Sequence, residues 1–177
     1  HHGNVKFNYI SIDNNDDGNC NTVALGNGTD STFFTNCMIV NNDVENYAGL
    51  RNAYVENCLL HSNSGWNNTS VLFECNVVNS TIVNNVGGAY YNGGAHNCDV
   101  ENSIIWGNSG VQCSSCYSVE YSIIDGGHIG TGNISSAPQL TGSYTLGSSS
   151  PAIDAGNPDL DGDGNDYLTD NDDQDPD

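Results

Sequence analysis

Basic residues are nearly missing from this chain of 177 residues. Lys6 and Arg51 stand against 22 acidic side chains, giving a net charge of −20. A surface of that sign repels nucleic acid and anionic membranes, and it attracts divalent cations. No apolar run reaches the ~20 residues of a membrane span. Helical periodicity is also lacking: no apolar pattern at three- and four-residue intervals is sustained beyond a single turn. The chain has no initiator Met and no secretory leader, and it stops at "DQDPD". It is therefore expected to be a mature or trimmed piece of a longer secreted protein. Only 36% of residues are hydrophobic, but 21 glycines bring apolar usage into the ordinary range, so a core is expected.

What the chain does have is a repeat. The segments "VKFNYISI", "FFTNCMIV", "AYVENCLL", "VVNSTIV", "VENSIIW" and "VEYSIID" align on Ile12, Ile39, Leu60, Ile82, Ile105 and Ile124, spaced by 27, 21, 22, 23 and 19 residues. Five positions before each anchor sits a second apolar residue: Phe7, Phe34, Val55, Val77, Val100 or Val119. Residues five apart on a straight strand face opposite ways, so the backbone must bend between them. Asn36, Asn57, Asn79 and Asn102, with Tyr9 and Tyr121 in the end copies, mark the bend, because Asn tolerates left-handed backbone. Stacked, these Asn side chains are expected to hydrogen-bond as a ladder. Short β-branched strands separated by Asn, Gly and Ser turns predict an all-β right-handed parallel β-helix of about six rungs over residues 1–129. At ~4.8 Å per rung, the rod would be roughly 30 Å long. Residues 130–177 form a C-terminal closing segment.

Within each repeat, Phe34, Cys37, Ile39 and their equivalents are expected inside. The residue before each anchor should face water, yet Met38, Leu59, Ile104 and Ile123 make that column an apolar stripe. Such a stripe marks an interface, covered either by residues 130–158 of the same chain or by another copy in lateral or end-to-end assembly. Cys37 and Cys58 share one inward position on adjacent rungs, as do Cys75 and Cys98. Each pair is either a disulfide or two buried thiols. Cys113 and Cys116 form a CxxC in a turn, read as a local disulfide ahead of a redox motif. Zinc on this pair with His96 and Cys98 would need a coincidence of folding. Seven cysteines suit an oxidising compartment.

The acidic end carries the clearest site signal. In "DLDGDGNDYLTD", Asp159, Asp161, Asp163, Asn165 and Asp170 place oxygen ligands alternately around Gly164, with Asp170 at the twelfth position. That is the spacing of a calcium loop, without the helices of an EF-hand. Asp13, Asn15 and Asp17 repeat the first half of the pattern, where an ordinary Asn/Asp/Gly turn is the competing reading. Aromatics suited to stacking on sugar rings are Trp66, Tyr90, Tyr91 and Trp106; the competing reading, favoured for Trp66, Tyr90 and Tyr91, is that they cover the edge of the core. Asp125 and His128 are the best catalytic-looking pair, against the simpler reading of a turn with a lone His.

The stretch "SAPQL…YTLGSSSPAIDAGNPDLDGDGNDYLTD", with the rungs "NSIIWGN" and "YSIIDGG", resembles the C-terminal end of secreted bacterial right-handed parallel β-helix proteins. "SPAIDAG" is the most specific motif. The resemblance implies fold and export to the cell exterior. It leaves activity open, since such scaffolds serve lyases, hydrolases and adhesins. Two classes of function follow: a calcium-stabilised structural, adhesive or glycan-contacting surface module, or a fragment of a polysaccharide lyase or glycoside hydrolase.

Overall fold

A computed structural model describes residues 5–13, 24–25, 32–44, 49–65, 71–88 and 93–157. It is an all-β solenoid in which every named strand pairing is parallel. The first face is a sheet of six strands in chain order: Val5–Asn8, Thr32–Thr35, Ala53–Glu56, Asn76–Val78, Asp99–Glu101 and Ser118–Glu120. The second face stacks Ser11–Asp13, Met38–Val40, Leu59–His61, Thr81–Val83, Ile104–Trp106 and Ile123–Ile124. A third face of five two-residue strands runs from Ala24–Leu25 to Cys113–Ser114. A short fourth edge pairs Asp43–Val44 with Ser64–Gly65. The third face has five strands to the six of the first two, and about four full turns replace the six rungs expected. The last rung, for example, supplies only Ser118–Glu120 and Ile123–Ile124.

Register is set one coil at a time, with Phe34 opposite Val55 and Ile39 opposite Leu60. The two columns join Leu50, Leu72 and Ala95 of the third face in one continuous core. Phe7 and Ile12 close the first coil against that core and are only partly buried. Phe7 stacks on Phe34 at 4.9 Å.

The bends fall where the sequence places them. Tyr9, Asn36, Asn57, Asn79, Asn102 and Tyr121 all have φ between 46° and 55°. One left-handed residue resets the pleat, so apolar residues on both sides of it face the same interior. Two further corners use the same device, at Asn41, Ser62, Asn84 and Gly107, and at Asn52, Glu74, Asn97 and Ser115.

The hydrogen-bond ladder lies one residue beyond the bend. Among the bend side chains, Asn36 Nδ2 donates to Asn8 Oδ1 at 3.2 Å, but the axial ladders are made by the inward residues that follow. Cys58, Ser80 and Ser103 donate their backbone N–H to Ser80 Oγ, Ser103 Oγ and Ser122 Oγ at 3.1, 3.1 and 3.0 Å. At the second corner Asn42, Asn63, Asn85 and Asn108 form the same chain, ending on Gln112 Oε1 at 3.1 Å. The cause is geometric: a left-handed residue turns the next N–H along the axis, away from any strand partner. A buried N–H must find an acceptor, and the next rung's side chain supplies it. The competing expectation, a ladder of the bend asparagines themselves, fails because Asn57 and Asn79 are exposed and Asn102 Oδ1 accepts instead from Asn157 N.

Candidate functional site

Residues 130–157 fold back along the second face as a strap. The solenoid's bonding pattern continues past residue 129: Ile134 bridges Ile123 in parallel, and Asn133 Oδ1 accepts from Ser122 N at 3.0 Å, ending the first ladder. The strap then crosses the apolar stripe. Ile104 is 9% and Ile123 3% exposed, and both pack with Val83, Ile134, Leu140 and Tyr144. Leu59 is half-buried against the same cluster, and Met38, beyond it, is 46% exposed. Of the two covers the sequence left open, the chain's own tail occupies Leu59, Ile104 and Ile123.

Local chemistry holds the strap in shape. Leu140 and Leu146 form an antiparallel bridge, closed by Thr141 N–H to Thr145 O at 2.8 Å and Gly147 N–H to Gln139 O at 2.9 Å. The "SPAIDAG" motif anchors its end. Buried Ser150 donates its hydroxyl to Pro138 O, and Ala152 packs against the stripe. Asn157 N–H then reaches Asn102 Oδ1, and its Nδ2 reaches Glu101 Oε1, both at 2.7 Å. The chain leaves this clamp toward the acidic loop. Asp159, Asp161, Asp163, Asn165 and Asp170 lie outside the described residues, as do Asn15, Asp17, Trp66, Tyr90 and Tyr91. The loop's donor set, four carboxylates and an amide oxygen, is one a hard cation takes.

The strap leaves space beneath it. A cleft of about 400 Å³ opens between Trp106 and Asn84 of the rod and Pro138, Gln139, Leu140 and Thr141 of the strap. A second, of about 390 Å³, lies between Thr81, Asn102 and Tyr121 on one side and Leu146 and Ala155 on the other. Tyr144 lines both. Its ring also meets His61 at 4.4 Å. Burial lowers the His61 pKa below the ordinary imidazole value, partly opposed by the Asp13 carboxylate.

Both cations sit away from this cleft on rows of aromatic rings. Lys6 lies 5.5 Å over Phe33, which stacks on Tyr54 at 5.3 Å. Arg51 lies 5.0 Å over Phe73 and pairs with Glu74 at 3.3 Å. The Asp125–His128 pair is not assembled: Asp125 Oδ2 accepts from Gly107 N, and His128 Nδ1 meets Ile129 O at 2.8 Å. Asp13 is exposed and accepts from Asn41 Nδ2 at 3.2 Å.

The six described cysteines are free thiols, so none of the three candidate disulfides is formed. In the Cys37–Cys58 and Cys75–Cys98 pairs the sulfur of the later rung accepts from the backbone N–H of the earlier cysteine, at 3.4 Å in both. Their own thiols cap carbonyls of the same rung: Cys37 Sγ donates to Thr35 O at 3.2 Å and Cys58 Sγ to Glu56 O at 3.1 Å. Burial pushes the Cys58 thiol up to about 11. A hydrogen bond between Cys113 and Cys116 drives the pair apart, raising Cys113 and lowering Cys116. Among the described residues no group of three or more His, Cys, Asp or Glu is set to hold a metal, so the zinc arrangement is not formed.

Two features escape the sequence reading. The buried Asn ladder was signalled by an Asn three residues after four successive anchors, at Asn42, Asn63, Asn85 and Asn108. Gln139 and Tyr144 carried no signal, because their role depends on where the strap lies. Comparison with known proteins finds no match among family models, curated proteins or solved structures.

Proposed function

We propose that this chain is a calcium-stabilised structural module of the cell exterior, with a flank that contacts glycan. One observation carries the reading: the inward Cys, Ser and Asn side chains of the corners are engaged in rung-to-rung hydrogen bonds. Side chains of those types often serve as reactive groups. Here they make a rigid scaffold. The calcium part rests on the spacing of Asp159, Asp161, Asp163, Asn165 and Asp170, reached from the Asn157 clamp. The export part rests on the resemblance of the "SPAIDAG" region to secreted bacterial β-helix proteins.

Thermal unfolding in Ca²⁺ and in EGTA tests the metal. Ca²⁺ should raise the midpoint of the unmutated chain and leave an Asp161→Asn/Asp163→Asn variant unmoved. Equal midpoints with and without Ca²⁺ in the unmutated chain would remove the ion from the account. A glycan array paired with reducing-sugar and uronate-absorbance assays tests the rest. Binding without turnover is the expected result; turnover would transfer the chain to the lyase or hydrolase class.

A further inference from the structure

We propose that the cleft between Trp106 and strap residues 138–144 binds a neutral sugar residue of a glycan. This rests on the glycan-contacting reading above and gives it a location and a ligand charge. The cleft's volume of about 400 Å³ falls in the range of small-ligand sites. Tyr144 lines this cleft and the second one.

The lining has the chemistry of sugar recognition. Trp106 offers a half-buried indole held in place by the apolar cluster under the strap. Aromatic faces pack against the C–H face of a pyranose, while amides and hydroxyls match its O–H groups as donors and acceptors. Asn84 and Gln139 supply those polar groups, while Thr141 Oγ1 is already bonded to Ser143 and Thr145. Among the described residues no side-chain hydrogen bond occupies the amides of Asn84 and Gln139, which leaves them available to a ligand. No Asp, Glu, Lys or Arg lines the cleft. With a chain charge of −20 and no cation at the site, a uronate finds repulsion and no counter-charge. The ligand is therefore a neutral sugar.

The test uses the full chain. Calorimetric titration with neutral hexasaccharides built from glucose, mannose, galactose or xylose is run beside an oligogalacturonate. At least one neutral series should bind saturably, and the uronate should not. Trp106→Ala should weaken binding about tenfold or more, Trp106→Phe much less, and Gln139→Ala by several-fold. Melting curves check that each variant folds. A Trp66→Phe protein, in which Trp106 is the remaining Trp, should show an emission change on titration. Neutral-glycan binding that Trp106→Ala leaves intact would overturn this site and spare the glycan reading. A protein that binds no glycan at all would overturn both, and a preference for the uronate would overturn the neutral assignment.

Discussion

Replacing Asn85 with Leu removes the centre of the buried Asn ladder while keeping the number of side-chain heavy atoms. In the native rung, Asn85 Oδ1 accepts from both Asn63 N and Asn63 Nδ2 at 2.9 Å. Its Nδ2 donates to Leu60 O at 3.0 Å and Asn108 Oδ1 at 2.9 Å. Leucine strands two buried donors of Asn63 in a site closed to water. Each orphaned donor costs about 1–3 kcal/mol, so the pair costs about 2–6 kcal/mol. The added apolar burial returns about 1.5–3 kcal/mol if the side chain fits. The net expectation is a loss of about 2 kcal/mol, a sizeable part of the 5–15 kcal/mol typical of a domain. Urea unfolding at 25 °C reads it, with Asn76→Ala on the outer side of the first face as a control expected within ~0.5 kcal/mol of the unmutated chain. Native-state hydrogen exchange should show the Asn63 amide losing protection first. An Asn85→Leu protein no less stable than the control would refute the claim that this ladder holds the coils together.

Other consequences concern the corners and the thiols. At Asn57, with φ of 51°, Gly should be neutral within ~0.5 kcal/mol, whereas Val should cost about 1–2 kcal/mol in the same urea assay. A Cβ at Gly94 would run into the backbone carbonyl of Gln112 on the next coil, so Gly94→Ala should destabilise by at least about 1–3 kcal/mol. With native protein at pH 7.5, Cys116, half-buried and with a lowered pKa, should be alkylated well before buried Cys58, whose pKa is about 11. Peptide mapping by mass spectrometry reads the order; simultaneous labelling would contradict the placement of these thiols.

How much of this was written in the chain depends on the range of the interaction. The anchors, the inward columns and the bends at Asn36, Asn57, Asn79 and Asn102 were legible, because alternation and a left-handed preference act over a few residues. The corner pairs Asn41–Asn42 and Asn84–Asn85 were not resolved in the same way. Chemically identical neighbours divide there into an outward bend residue and a buried ladder member, and only stacking on the next rung distinguishes them. The thiol state of Cys37 and Cys58 was likewise undecided by position, since it turns on how two parallel side chains aim.

A parallel solenoid with one shared interior, and an apolar stripe that had to be covered, can be read from the order of residues alone. What covers the stripe cannot. The strap is held to the rod by contacts such as Asn157 with Asn102, 55 residues apart, and the cleft beside Trp106 exists only because the strap takes that path. Local backbone preferences repeat with every rung and so appear in the sequence as a period. A contact made once, between distant segments, leaves no such pattern to read.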